Sequence, residues 1–508
     1  MQTKLLAFLK NWGIIAGAAL LKFIIHLITY AKYGIHRDEF MYFEMGNHLA
    51  WGFIETPPTI AIFAWLAQNI FGYTEFAIRF FPALFGALNV FITGLIVKQV
   101  GGKKFAQIIA MVGVLCVPLY LRIDHYFMPV VFNYFYWVLT SYFTVKWLKS
   151  KQTKYIYMIG AMVGLGMLVK YTIFIWAVSI LAGIAISKER EIFKTKYPYL
   201  AIAIAVLIFM PNLIWQSLNG FPVFHHMSAL NQSQLVHISP IVFILDQLLM
   251  AAPVLLFWLA GLGFLLFGQE AKKYHALGLA FVINFIIFLL LDSKNYYIGG
   301  SYFVLFAFGG IFAEQLIKKL WIRIAFPAIT VLLFIPVLPH SLPVLPLSGM
   351  LYYGQLTKDA GFDALLRWED GRIYDLPQDY ADQLGWNEVA DIVQFSYNQL
   401  TDAEKQSCII YGENYGDSGC VDFYGNQYGL PKAVSMSSNY LPWAPEKIDA
   451  KVVFWVGGNL NTVENYFNDV DIAGRITNPF ARERGLAVFI CKDAKPALHK
   501  SWAQALKR

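Results

Sequence analysis

Residues 11–30 read NWGIIAGAALLKFIIHLITY, and after four residues the chain continues IHRDEFMYFE over residues 35–44. The first stretch is as long as the apolar helix that crosses the hydrocarbon of a bilayer, about 20 residues. The second sets two adjacent carboxylates, Asp38 and Glu39, just beyond its end. A run of that length with a small charged cluster at its exit predicts a membrane span followed by a polar loop at the boundary.

The same pattern recurs outward from there. Apolar runs at 12–32, 78–98, 104–121, 127–148, 155–169, 171–187, 198–215, 240–267, 274–291, 299–317 and 322–339 predict about 11 spans. Lipid offers no water to unpaired backbone groups, so these runs should be helices. The first run is too long for a signal peptide's apolar core and lacks a small-residue cleavage site, so it should stay as an anchor. The shorter run PPTIAIFAWLAQNIFG, residues 57–72, opens on two prolines suited to a first helical turn. It predicts a helix lying at the outer interface.

Composition agrees. Of 508 residues, 57% are hydrophobic and 14% charged, against about a quarter charged in soluble chains. A single soluble globule, a disordered chain and a nucleic-acid-binding protein are excluded. The net charge of +7 is unevenly divided. Up to Pro339 there are 25 Lys and Arg against 12 Asp and Glu; from His340 onward the numbers are 15 and 21. Residues 1–339 therefore form a basic transmembrane domain with its first external loop at 33–77, and 340–508 an acidic domain outside the bilayer.

Lysines set the orientation. The loops on the N-terminal side are each multiply basic, as at Lys103 and Lys104, Lys149 and Lys151, Lys194 and Lys196, and Lys318 and Lys319. The opposite side holds isolated cations: Arg37, Arg79, Arg122, Lys170 and Lys294. By the positive-inside rule the first side is cytoplasmic, and an odd number of spans puts 340–508 outside the inner membrane. In that domain Trp386–Leu400 has helical periodicity, and Cys408–Tyr411, Val452–Val456 and Ala487–Cys491 read as strands. Together they predict a small α/β domain. The residues Gly412-Glu413-Asn414-Tyr415-Gly416-Asp417 read as a loop. Of Cys408, Cys420 and Cys491, the pair Cys408–Cys420 is the most plausible disulfide.

A carboxylate at the membrane boundary can take a proton from an attacking hydroxyl; equally, Asp38 can cap a helix beginning at Glu39. Arg79, Lys170 before Tyr171 and Thr172, and Lys294 before Tyr296 and Tyr297 stand near span ends, with Asp124 and His125 after the third span. Isolated charges at membrane depth are costly and mark partners or function. Cations around an acidic pair suit an anionic lipid such as a phosphate. His225 and His226 form a further external pair, whose spacing with His36, His125 and the carboxylates allows a divalent cation without specifying one.

These residues resemble the polyprenyl-phosphate-sugar-dependent glycosyltransferases of the GT-C class, most closely the bacterial protein-O-mannosyltransferase-like family (glycosyltransferase family 39). Asp38-Glu39 is similar to its acidic pair, and residues 49–58, LAWGFIETPP, to its segment LAWGYVDHPP. Glu75–Arg79, Gly166–Thr172, Pro211–Trp215 and Lys294–Tyr297 resemble further landmarks. Leu376–Asp382, Asn414–Gly416 and Asp422–Gly425 resemble the C-terminal domain of one bacterial subgroup. The resemblance implies inverting transfer of a sugar from a polyprenyl-phosphate carrier to a hydroxyl of a lipid, glycan or protein on the outer face, with no certain cofactor and a divalent cation left open. It implies Asp38 as general base with Glu39 beside it, and Arg79, Lys294 with Tyr297, and Lys170 against the carrier phosphate. Where many relatives carry an acidic residue in the fourth span, this chain has Asn133, and Asp124 is the replacement at hand. The competing expectation is a transporter or flippase of a lipid-linked sugar, against which the chain shows no inverted repeat.

Overall fold

The computed structural model describes residues 2–233 and 239–506 and divides into two compact units. One comprises Met1–Thr29, Trp51–Ile60 and Arg79–Leu342; the other comprises Tyr30–Ala50, Ala61–Ile78 and Pro343–Arg508. The first loop thus clusters largely with the C-terminal residues, not with the helices that flank it in sequence.

The first unit is helical. Among the described residues, six helices are long and apolar enough to cross a membrane: Asn11–Thr29, Glu75–Val100, Tyr197–Leu218, Lys272–Leu290, Asn295–Leu316 and Leu320–Ser341. A seventh span arises if Pro240–Leu249 and Ala252–Phe267, bent by 67° at their junction, are taken together. The remaining expected spans are helical but shorter or more polar. Residues 104–121 break before Pro118 into Lys104–Leu115 and Pro118–Ile123, since proline there cannot supply its backbone N–H. Residues 155–169 and 171–187 become the 14-residue helices Lys154–Met167 and Ile173–Ile186, separated by a turn at Lys170. Exposed Leu207, Ile214, Leu320, Leu332 and Leu333 give the unit a lipid-compatible surface. Helices Leu255–Phe267 and Tyr302–Leu316 touch backbone to backbone, because a Cβ on Gly261 would overlap the Leu305 carbonyl and one on Gly309 the Phe257 carbonyl. Such close approach at small residues is how helices associate in lipid.

The second unit carries the sheet. Its strands are β1 (Cys408–Gly412), β2 (Ala433–Val434), β3 (Val452–Val456), β4 (Phe467–Arg475) and β5 (Ala487–Ala494), in the order β2-β1-β3-β5-β4. β1 pairs in parallel with β2 and β3, Cys408 lying opposite Val452; β3 and β4 each run antiparallel to β5. Every residue of β3 is buried, as a central strand covered on both faces requires. Trp455, Phe489, Leu498 and Trp502 share one core cluster. Cys408 and Cys420 are free thiols, as are Cys116 and Cys491.

The residues read as a loop after β1 instead start a helix, Tyr415–Tyr424. Asn414 caps it: its Oδ1 accepts from Gly416 N at 2.8 Å, and Asp417 Oδ2 accepts from Asn414 N at 3.2 Å. Burial pushes the Asp417 carboxyl up to about 8, against the Asn414 hydrogen bonds and with Glu483 and Glu413 adding repulsion. Between the unfolded value near ~4 and that folded value, the native state holds one proton more than the unfolded state. Stability contributed by this group therefore falls as pH rises through that window. Asp417→Asn keeps an acceptor oxygen and should remove a slope of about 1.4 kcal/mol per pH unit. Denaturant unfolding of the full-length protein between pH 5 and pH 8 checks this; an unaltered slope in the variant counts against it.

Candidate functional site

In the second unit the acidic pair is sorted by the local helix. The helix is Arg37–Glu44, starting two residues before Glu39, and its cap is His36, not Asp38. His36 Nδ1 accepts from Asp38 N at 3.2 Å, while Glu39 Oε2 accepts from His36 N at 2.9 Å. Glu39 is thus the third-position carboxylate of a capping box and is fully buried. The sequence placed Glu39 beside the base; in the structure its Oε2 closes this capping box. Asp38 points elsewhere: its side chain is 32% exposed, its Oδ1 accepts from Tyr415 Oη at 2.7 Å, and Arg37 Nε lies 3.7 Å away.

The helix is pinned on every side within this unit. Phe40 packs edge-on against Trp386 and Tyr424, and Phe43 against Tyr73 and Phe423. Glu44, almost fully buried, meets Lys432 Nζ at 3.1 Å and Asn47 Nδ2 at 2.9 Å. His36 Nε2 lies 3.5 Å from Asp382, which Arg482 also holds at 2.7 Å. Burial opposes charge on Asp382, but His36 and Arg482 together bring its carboxyl down to about 2. A residue at the start of a helix so constrained keeps one orientation, as a reacting carboxylate needs.

In the first unit the cations separate into two sets. Arg79 is buried and donates from Nη1 to the His125 carbonyl at 3.0 Å, its guanidinium 5.3 Å from the Tyr126 ring centroid. Asp124 is buried against Lys22 Nζ at 2.8 Å, and that ammonium also donates to the Tyr120 carbonyl. His125 is buried beside them. The sequence grouped Arg79, Asp124 and His125 with the phosphate contacts. In the structure the Lys22–Asp124 pair joins the first helix to the segment after Pro118, and Arg79 joins helix Glu75–Val100 to the same segment; breaking a buried ion pair such as Lys22–Asp124 costs about 3–5 kcal/mol. Lys22 had been read as part of an apolar run.

The second set lies at the turn between Lys154–Met167 and Ile173–Ile186. Asn133 Nδ2 donates to the carbonyls of Gly166 and Lys170, at 3.2 and 3.1 Å, and its Oδ1 accepts from Trp137 and Thr172. A carboxylate could not donate twice, so the amide at this position has a structural cause. The turn it fixes presents Lys170, whose Nζ stands 4.6 Å from the Tyr297 ring centroid. Lys294 is near enough that the two ammonium groups repel. Neither lysine forms an ion pair among the described residues. His226 lies in the same field; burial and then the two lysines lower its pKa, so it stays neutral at pH 7.

Glu55 joins this set, 3.8 Å from His226 Nδ1. Its segment is strapped to helix Tyr197–Leu218. Asn212 Nδ2 donates to the Trp51 carbonyl at 2.7 Å, Gln216 Nε2 reaches the Phe53 carbonyl at 3.4 Å, and Tyr171 Oη donates to Asn212 Oδ1. Sequence reasoning quoted Glu55 only inside a motif; its signal was a carboxylate next to Pro57-Pro58 in an otherwise apolar stretch. No group of three or more His, Cys, Asp or Glu that could hold a metal ion occurs among the described residues.

Residues 55–215 match the model of the family described as dolichyl-phosphate-mannose-protein mannosyltransferase. Among solved structures the chain is similar to ArnT from Cupriavidus metallidurans bound to undecaprenyl phosphate, with TM-score 0.63 and 13% identity over 95% of this chain and 98% of that one. The apo state of that protein gives TM-score 0.61 at 13% identity, over 94% and 98%. The apo oligosaccharyltransferase of Archaeoglobus fulgidus gives TM-score 0.49 at 13% identity, over 88% and 69%. No curated protein matches the sequence significantly. The chain therefore shares the fold of ArnT, helical with a small C-terminal sheet, and its residues 55–215 match the mannosyltransferase family, in keeping with the resemblance read from the sequence.

Proposed function

From this fold and this family segment, we propose that the chain is an integral-membrane glycosyltransferase that moves a sugar from a polyprenyl phosphate to a hydroxyl of a lipid, glycan or protein on the outer face of the membrane. The observation that carries the reading is Lys170, its ammonium over the Tyr297 ring with Lys294 near enough to repel it and neither lysine in an ion pair among the described residues, in a protein whose structural neighbour ArnT was solved with undecaprenyl phosphate. Such a pair is completed by an anion.

The proposed chemistry uses the groups present. The acceptor hydroxyl attacks the anomeric carbon and its proton passes to Asp38. The bond from that carbon to the phosphate oxygen breaks with inversion, and the polyprenyl phosphate leaves as an anion. Lys170 and Lys294 stabilise the charge that grows on it, with the Tyr297 hydroxyl as a further donor. Glu55 offers a carboxylate to the sugar hydroxyls. Arg79, Asp124 and His125 hold the helices from within.

Mass spectrometry of envelope glycans, lipids and glycoproteins from a strain lacking this gene is the direct test. One sugar should vanish from one class of acceptor, and purified protein added to that strain's membranes should restore it. An unchanged envelope, together with no new glycosidic product from the purified protein, would favour a transporter.

A further inference from the structure

The sequence Asn414-Tyr415-Gly416 lies in the sheet unit, far in sequence from the acidic pair, yet it is built around it. Tyr415 opens the helix Tyr415–Tyr424, and the Asn414 capping box fixes its start. Its hydroxyl donates to Asp38 Oδ1 at 2.7 Å. Gly416 makes room for the neighbour: a Cβ there would overlap Arg37 Cγ. The Arg37 guanidinium then lies 5.7 Å from the Tyr415 ring centroid, with Nε 3.7 Å from the same Asp38 oxygen. Gly419 lets the two helices close together, since its Cβ would stand 2.5 Å from Phe40 Cβ. One carboxylate oxygen of Asp38 is thereby held by the Tyr415 hydroxyl, with the Arg37 charge close by, and the other is left to accept a proton.

We propose that Tyr415 is a positioning residue for the transfer: it fixes the rotamer of Asp38, so that the C-terminal domain completes the general base. This rests on the reading of Asp38 given above. A carboxylate held in one orientation delivers its lone pair where the acceptor proton lies; a freely turning one does so only part of the time.

Membranes of a strain lacking the gene hold both unspent donor and unmodified acceptor, and serve as the probe. Full-length wild type, Tyr415→Phe and Asp38→Asn are compared by initial rate of product against membrane added, well below their melting temperatures. Tyr415→Phe should lower the maximal rate by about tenfold or more with half-saturation unchanged, as loss of orientation in the chemical step requires. A residue that only glued two helices would shift the melting curve and leave the rate per folded molecule as it was, and that result overturns the inference. Half-saturation rising at constant maximal rate would make Tyr415 a substrate contact, and also overturns it. If Asp38→Asn is inactive while Tyr415→Phe is normal, the positioning role fails and the base survives. If Asp38→Asn is fully active, both fall.

Discussion

Asp38→Asn abolishes sugar transfer while the protein inserts, purifies and melts as the wild type does. The side chain is a third exposed, so the substitution leaves no uncompensated buried group. The amide oxygen can still accept from Tyr415, and the backbone N–H that bonds His36 is untouched. Only the ability to take a proton is lost, and general bases contribute about 10²–10⁴ in rate. The neighbouring position provides the contrast. Glu39→Gln keeps the third-position acceptor of the capping box, for which glutamine is a normal occupant, so its activity should stay near wild type. Rates measured on membranes of the gene-deficient strain separate the two. Equal loss in both variants would make the pair act as one unit; wild-type rates with Asp38→Asn would remove the aspartate from the mechanism.

That contrast also shows what a linear sequence conveys. The long apolar runs are a bulk property of composition, and each expected span lies on helical structure because lipid tolerates nothing else. Strands β1, β3 and β5 were readable for a similar reason, as short apolar runs bounded by polar residues. β4 was not: Phe467–Arg475 alternates through Asn468, Asp469 and Asp471 on a largely exposed strand. The helix at Tyr415 was read as a loop because its first residues are small and polar, and the Asn414 cap needs coordinates to be seen. In the site, residue types were legible but not their bonds. Nothing in the order His36-Arg37-Asp38-Glu39 says which carboxylate closes a capping box. Nor does Arg79 announce that its guanidinium meets a backbone carbonyl 46 residues away. Long-range hydrogen bonds sort groups of the same charge into scaffold and chemistry, and pattern alone carries no record of them.

The lysines invite the second large effect. Lys170→Ala combined with Lys294→Ala should weaken binding of undecaprenyl phosphate by about a hundredfold or more, and each single replacement by about tenfold. Charge-assisted hydrogen bonds of this kind contribute about 1.5–3 kcal/mol each. Tyr297→Phe removes a neutral donor and should cost less. Binding to purified protein in lipid nanodiscs, at several salt concentrations, measures all four. A role in folding predicts the opposite pattern of stability. Neither ammonium has a carboxylate among the described residues, and burial and then Lys294 disfavour the charge on Lys170. Removing them relieves repulsion, so the double variant should melt no lower than wild type while losing the ligand. Asn133 braces the turn that carries Lys170, and Lys294 stands near enough to repel its ammonium. Binding of a phosphate cancels that repulsion, which is why its loss should appear in affinity and not in stability. Undiminished affinity in the double variant would move the carrier's headgroup away from this turn.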